Sequence, residues 1–428
     1  MSVDVFHSGR VILHGGDCLD VLAGLPEASV DAVVTDPPYE LGFMGRHWDK
    51  SGIAFRPETW AAIGRVMKPG AHLVAFGAPK NFHRMVCAIE DAGFEVRDAL
   101  MWMFGSGFPK SLDVSKAIDK AAGAERVKVP CSGAPAYQRS IGNMRPWMTR
   151  SDHLVDGADA VTLDAARWQG WGTALKPAYE PICLARWPLS EKTVAANVLA
   201  HGTGALNIDA CRVASSAADQ AAMARVVGFN KSYSSGEAGN ALSGSLHRRD
   251  RSEFDASLGR WPANVCHDGS EEVVAAFPET GKSRGAPRHN SARDKSVAKG
   301  AEKAHVAGGH DDDGGSAARF FYSSKAGADD RLGSKHPTVK PVDLMQWLCR
   351  MVCPPGGTIL DPFAGTGTTA EAALREGFRA VLIEREAEYR ADIARRMAHV
   401  FDGEVGRKVA RVKARGKAAP GGLFGDAS

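Results

Sequence analysis

The amino-acid sequence predicts an α/β fold built on a doubly wound, largely parallel sheet, and three observations carry the prediction. Short apolar runs alternate with helical periodicity at both ends of the chain, the way strands covered on both faces read between crossover helices. A glycine-rich turn from Asp361 to Thr369 joins one such strand to a helix. The pair Pro37-Pro38 stops another strand abruptly. At 428 residues the chain exceeds one ordinary domain, so an enlarged domain or a core with an appended module is expected.

Taken in order, Val11 to His14 and Asp31 to Thr35 read as short apolar strands. Pro57 to Lys68 reads as a helix with proline in its first turn and Gly70 beyond its end. A further βα unit follows: a buried strand over His72 to Phe76, a helix over Pro79 to Ala92 closed by Gly93, and a strand over Phe94 to Met103 with aromatic and β-branched content. The rhythm returns late in the chain. Pro341 to Cys353 is helical, Thr358 to Leu360 a strand, Thr368 to Glu376 a helix ended by Gly377, Ala380 to Ile383 a strand and Glu386 to Val400 a helix. Between about residues 105 and 335 the periodicity gives way to Gly, Ser, Pro and Asn clusters with one expected strand, Pro181 to Ala185, so this region reads as inserted. No internal repeat is present.

Hydrophobic residues at 44% and charged residues at 24% exclude a disordered or fibrous chain. No run approaches the roughly 20 apolar residues that span a bilayer, and the opening MSVDVFHSGRVILHGGD lacks a basic segment followed by an apolar one, so a soluble cytoplasmic protein is expected. The eight cysteines form no Cys-x2-Cys pair at zinc spacing and are expected as free thiols, with no metal. Net charge is only +3, so its distribution matters more than its sum. Lys282, Arg284, Arg288, Arg293, Lys295, Lys299 and Lys303 fall in a Gly/Ala/Ser-rich stretch with few acids, which reads as a basic surface loop. A second basic run, Arg407 to Lys417, precedes a Gly-rich terminus.

Two motifs carry chemistry. The first is Asp36-Pro37-Pro38-Tyr39, directly after a strand. Two prolines lack N–H donors and fix φ, so the chain leaves the sheet at its carboxyl edge and presents a carboxylate, a proline carbonyl and an aromatic face in one short span. Those groups suit a flat heterocycle with an exocyclic amine: two acceptors for its hydrogens and a ring to stack on. A plain structural turn is the competing reading. The second motif, Asp361-Pro362-Phe363-Ala364-Gly365-Thr366-Gly367-Thr368-Thr369, bares the backbone at two glycines. Glu384, 17 residues past Gly367 at the end of the next strand, is placed for ribose hydroxyls. Ala370 replaces the third glycine of a dinucleotide fingerprint and no Walker lysine follows, which favours a nucleoside without phosphate.

These two motifs, with Lys335-His336-Pro337-Thr338-Val339-Lys340-Pro341 between them, closely resemble S-adenosylmethionine-dependent DNA amino-methyltransferases. The order, catalytic motif first and cofactor motif last, resembles the β class, and DPPY rather than SPPY leans toward the N6 of adenine. His14-Gly15-Gly16-Asp17-Cys18 resembles a cofactor-adenine contact, while Trp171 to Ile182 and Trp261-Pro262-Ala263-Asn264 are similar to segments of phage- and prophage-type members. The resemblance implies a Rossmann-like, circularly permuted sheet: residues 1–104 as the catalytic half, and 105–335 as an insertion with a core strand near 181–185 and a target-recognition segment at about 190–325. Residues 336–402 then form the cofactor half and 403–428 a basic flexible tail. It implies catalytic roles for Asp36, Pro37, Pro38 and Tyr39. It implies cofactor contacts from Asp17, Cys18, Asp36, Thr338, Lys340, Asp361, Pro362, Phe363, Ala364, Gly365, Thr366, Gly367, Thr368 and Glu384. Double-stranded DNA becomes the expected partner, contacted by Lys282, Arg284, Arg288, Arg293, Lys295 and Lys299; a homodimer and a cognate restriction endonuclease are further partners the resemblance admits.

If Thr358 to Leu360 is flanked by Ala380 to Ile383 and then by Val11 to His14, and the other half of the sheet starts at residue 31, the switch point falls between the strands ending at Asp361 and Asp36. The N-terminal strand and C-terminal helix would then pack together. Arg46, His47 and Trp48 form a Gly-flanked loop placed to close over a flipped base or simply to lie on the surface, and Trp102, Trp171, Trp347 and Tyr179 read as packing residues. Three alternatives stay open: an N4-cytosine DNA methyltransferase, a methyltransferase of RNA or glutamine amides, and a DNA-binding protein without activity.

Overall fold

Strand formation follows the apolar runs, and the computed structural model describes residues 2–41, 51–105, 107, 111–130, 154–215, 258–280, 315–324, 328–334, 336, 338–403 and 406–407. In chain order the strands are β1 (Ser2–Phe6), β2 (Val11–Gly15), β3 (Val30–Thr35), β4 (Met67–Phe76), β5 (Glu95–Met103), β6 (Lys128–Pro130) and β7 (Leu154–Asp156). They continue with β8 (Tyr179–Arg186), β9 (Val265–His267), β10 (Glu279–Thr280), β11 (Gly315–Ser316), β12 (Tyr322–Ser323), β13 (Thr358–Asp361) and β14 (Arg379–Glu384). The main sheet runs β1-β2-β14-β13-β3-β4-β8-β5-β9-β12. From β2 to β4 every pairing is parallel. β8 then runs antiparallel between β4 and β5.

β3 shows why the central strands are continuous apolar runs: all six residues of VDAVVT are buried, because helices cover both faces. Its one acid, Asp31, accepts from Lys68 Nζ at 2.5 Å and from the Thr358 N–H at 2.8 Å, which ties the first turn of β13 to β3. One face carries helices Val342–Val352, Thr368–Arg375 and Ala387–Ala398, whose Trp347, Leu348, Ala372 and Ile393 join a core with Val34, Val74 and Ile359. The other carries helices Cys18–Gly24, Pro57–Val66 and Phe82–Asp91 around Trp60, Ile63, Leu73 and Ile89. This is a Rossmann-like three-layer sheet.

Some boundaries differ from expectation for identifiable reasons. The helix expected to reach Lys68 stops at Val66, and β4 begins at Met67. Pro69 has no N–H for a helical bond. Gly70 lies at φ +80°, donating its own N–H to the Pro188 carbonyl at 3.0 Å, and an added Cβ would meet Asn197 Nδ2 at 2.4 Å. β1, read as no element, pairs antiparallel with β2 at the sheet's edge, mostly exposed. From 105–335, β8, β9 and β12 enter the main sheet, and helix Val194–His201 packs on it through Asn197, whose Nδ2 donates to the carbonyls of Pro69 and Thr203, both at 2.9 Å. Trp102 and Trp347 are buried as expected, but Trp171, expected in packing, is 60% exposed and lies edge-on to Trp168; Tyr179 is likewise exposed.

The turn after β1 meets the end of helix Ala387–Ala398. His7 Nε2 lies 2.9 Å from the Met397 carbonyl oxygen and its ring sits edge-on to Phe401. Arg407, expected in a flexible tail, is buried against Glu371. Among the described residues no helix is long and apolar enough to cross a membrane.

Candidate active site

β13 and β3 are neighbours, with Ile359 opposite Ala32 and Leu360 opposite Val33. From their carboxyl ends the chain departs in opposite directions, β13 toward β14 and β3 toward β4, and the crevice between diverging crossovers is where an open α/β sheet receives ligands. A single clasp joins the strand ends. Asp361 Oδ1 accepts from Thr35 Oγ1 at 2.6 Å and from the Phe363 N–H at 3.2 Å, and its Oδ2 accepts from Thr369 Oγ1 at 2.6 Å. Burial pushes its carboxyl up to about 6 despite those donors. Thus the motifs separated by 325 residues border one cavity of about 300 Å³.

The residues expected to contact a cofactor border that cavity. Asp17, Cys18, Thr338, Lys340, Asp361, Pro362, Phe363, Ala364, Gly365, Thr366, Thr368 and Glu384 all line it, as do Asp36, Pro37, Pro38 and Tyr39. Gly367 is not in the lining; it caps helix Thr368–Arg375 at φ +77°, where an added Cβ would meet Ile393 Cγ1 at 3.0 Å. Gly365, at φ +51°, gives its N–H to Glu384 Oε2 at 2.8 Å, and the Glu386 N–H reaches Oε1 at 2.8 Å. Burial still dominates at Glu384, pushing it up to about 7. Asp17 caps helix Cys18–Gly24 by accepting the Leu19 N–H at 2.9 Å, and burial pushes the Cys18 thiol up to about 12, out of nucleophilic range. Phe363 is half-buried, packed on the core on one side and bordering the cavity on the other.

Around Asp36 the structure assembles a cluster that the motifs alone did not announce. Lys340 Nζ, only 5% exposed, donates to Asp36 Oδ2 at 2.7 Å and lies 3.2 Å from Glu180 Oε2, on β8. It also donates to the Tyr39 hydroxyl oxygen at 3.0 Å, and Tyr39 in turn donates to Glu180 at 3.1 Å. Burial works against the Lys340 ammonium, but Asp36 and Glu180 outweigh it and hold its pKa up. Burial, with both acids, pushes the Tyr39 phenol well above its usual range, so it stays a donor. Asn81 Nδ2 holds the Tyr39 carbonyl at 2.6 Å. Asp36 Oδ1 is left buried with no hydrogen-bond partner among the described residues. Such an orphaned acceptor costs about 1–3 kcal/mol unless a donor arrives.

Lys340, expected as a cofactor contact, borders the cavity and pairs with Asp36, and Glu180 was not among the expected site residues. The signal available was its place near the end of the Trp171 to Ile182 segment, at the start of a strand, while its own partners Tyr39 and Lys340 lie 141 and 160 residues away in sequence. His336 borders the cavity, edge-on to Tyr389, with burial lowering its pKa. Lys282, Arg284, Arg288, Arg293, Lys295, Lys299 and Lys303 lie outside the described residues, as do Lys335, Pro337, Arg46, His47 and Trp48.

Residues 287–395, which hold the glycine turn and Lys340, match the N6_N4_Mtase family model, described as DNA methylase. Among individual proteins, YubD of Escherichia coli (strain K12), named as a methylase, is 43% identical over 86 residues, which cover 19% of this chain and 37% of YubD. The chain thus spans little more than a third of that relative's length. The structure is also similar to TTHA0409 of Thermus thermophilus complexed with S-adenosyl-L-methionine, at 16% identity over 91% of this chain and 94% of that one, with a TM-score of 0.38. PvuII DNA methyltransferase, described as cytosine-N4-specific, aligns at 13% identity over 94% of this chain and 92% of its own, with a TM-score of 0.39.

Proposed function

We propose that the protein is a site-specific DNA methyltransferase that moves a methyl group from S-adenosylmethionine to the N6 amine of an adenine extruded from duplex DNA. The observation that carries this reading is the orphaned Oδ1 of Asp36, a buried acceptor on the wall of the cavity that the glycine turn and Glu384 also line. The residues suit the cofactor. Gly365 and its neighbours offer bare backbone, Glu384 a carboxylate for ribose hydroxyls, and Phe363 an apolar wall for the adenine ring. When bound, S-adenosylmethionine supplies a methyl already activated on its sulfonium.

The chain's own task is the nucleophile. An exocyclic amine of a purine is weakly nucleophilic because its lone pair is delocalised into the ring. Asp36 Oδ1 and the Pro37 carbonyl, as the two acceptors for its hydrogens, localise that lone pair and gain strength as positive charge grows on nitrogen. Asn81, which holds the Tyr39 carbonyl, keeps this loop rigid, so the amine is held in line rather than searching for its geometry. Extruding the base costs a few kcal/mol, offset in part by stacking on Tyr39. The basic stretch from Lys282 to Lys299 supplies phosphate contacts. The protein works as an enzyme of the β class, its cofactor half following its catalytic half in the chain.

The test is direct. Protein incubated with methyl-tritiated S-adenosylmethionine and mixed genomic DNA should place label in N6-methyladenine on nucleoside chromatography. Label in N4-methylcytosine would replace the adenine assignment; none in DNA would remove the function.

A further inference from the structure

We propose that Glu180 is a positioning residue that keeps Asp36 a strong acceptor by drawing part of the Lys340 charge onto itself; this deepens the reading above and rests on it. One buried ammonium serves two carboxylates, at 2.7 Å from Asp36 Oδ2 and 3.2 Å from Glu180 Oε2. Paired with Asp36 alone, that ammonium would stabilise the carboxylate's charge and weaken Oδ1 toward an amine. The second acid offsets this. Tyr39 closes the arrangement by accepting from Lys340 and donating to Glu180, so the ammonium is held between the acids rather than collapsed onto one. Both acids are largely shielded from water, with side-chain exposures of 20% for Asp36 and 18% for Glu180, so their charges are weakly screened.

A purely structural Glu180 would serve only as a hydrogen-bond partner for Tyr39 and Lys340, and Gln at that position would replace it. The two roles therefore separate on charge. Single-turnover methyl transfer at saturating S-adenosylmethionine should be measured for the wild type, Glu180→Gln, Lys340→Met and the double variant, with cofactor dissociation constants and melting temperatures alongside. Glu180→Gln should slow transfer by about tenfold to a hundredfold while cofactor affinity stays within about threefold. In the double variant, freeing Asp36 of the ammonium should return part of the rate that Glu180→Gln loses. Glu180→Asp, which keeps the charge but shortens the reach, should fall between wild type and Glu180→Gln, and carries the comparison if Gln impairs folding. Wild-type transfer by Glu180→Gln, or a double variant slower than either single, overturns the role of Glu180 while leaving the enzyme intact. A wild type inert on DNA overturns the enzyme reading and this inference together.

Discussion

Glu384 is the side chain through which the cofactor cleft should feel pH. It is 8% exposed and accepts two backbone N–H groups, yet burial pushes it from 4.5 up to about 7. A carboxyl whose folded pKa is raised stabilises the fold fully below its unfolded value and loses that contribution as pH rises through the folded one. Glu384→Gln should therefore flatten the stability gained by the unliganded protein between about pH 7 and 4.5, by roughly 1–3 kcal/mol, read from denaturant unfolding at fixed pH. Cofactor binding should move the other way. Ribose hydroxyls need the ionised acceptor, so calorimetry should show affinity tightening as pH rises through about 7 in the wild type and a shallower slope in Glu384→Gln; a parallel slope in both would detach Glu384 from the cofactor. The pairing of Glu384 with the glycine turn was legible from spacing alone, because both sit on consecutive βα units. Glu180 was not, since only the antiparallel insertion of β8 beside β4 carries it to Lys340.

At the scale of elements, helix Thr368–Arg375 decides whether the glycine turn holds its shape. Its start needs Gly367 at φ +77° and tolerates no Cβ without moving Ile393. Its far side buries Glu371, fully enclosed and paired with Arg375, Arg396 and Arg407. Arg396 also donates to the Thr366 carbonyl at 2.7 Å, so the last helix and the turn are fastened through one acid. Glu371→Ala leaves the Arg396 guanidinium buried without its partner and should cost about 3–5 kcal/mol of stability in chemical denaturation. Gly365→Val, at φ +51° on the cavity wall, should cost about 1–2 kcal/mol in backbone strain and abolish measurable cofactor binding. The central elements were readable because both their faces are buried and their apolar runs are unbroken. β9 and β12 were not, because three and two residues are too short for a period, and neither was the five-residue β1, whose Val3 and Val5 are exposed.

For the whole molecule, one architecture explains why two motifs so far apart in sequence border one cavity. The order β2-β14-β13-β3-β4 pairs an early strand, β2, with a late one, β14, and makes the crevice between β13 and β3 the place where both motifs project. That much was expected from the resemblance carried by the two motifs together with the rule for switch points. Within 105–335 a core strand near 181–185 was expected and is β8, but the entry of β9 and β12 into the same sheet was not, because they are only two or three residues long and follow long stretches without period. Association with DNA belongs to this scale too. If the stretch from Lys282 to Lys299 meets phosphates, replacing Lys282, Arg284 and Arg288 with alanine should weaken binding across all sequences and reduce the slope of log affinity against log salt by about one per lost contact.

The most direct check is the cofactor dissociation constant of Asp36→Ala, set beside its single-turnover rate on DNA. Division of labour between the two motifs predicts an affinity within about threefold of wild type and a rate lower by at least about a hundredfold. A rate and an affinity that fall by the same factor would mean that Asp36 holds the cofactor rather than the amine.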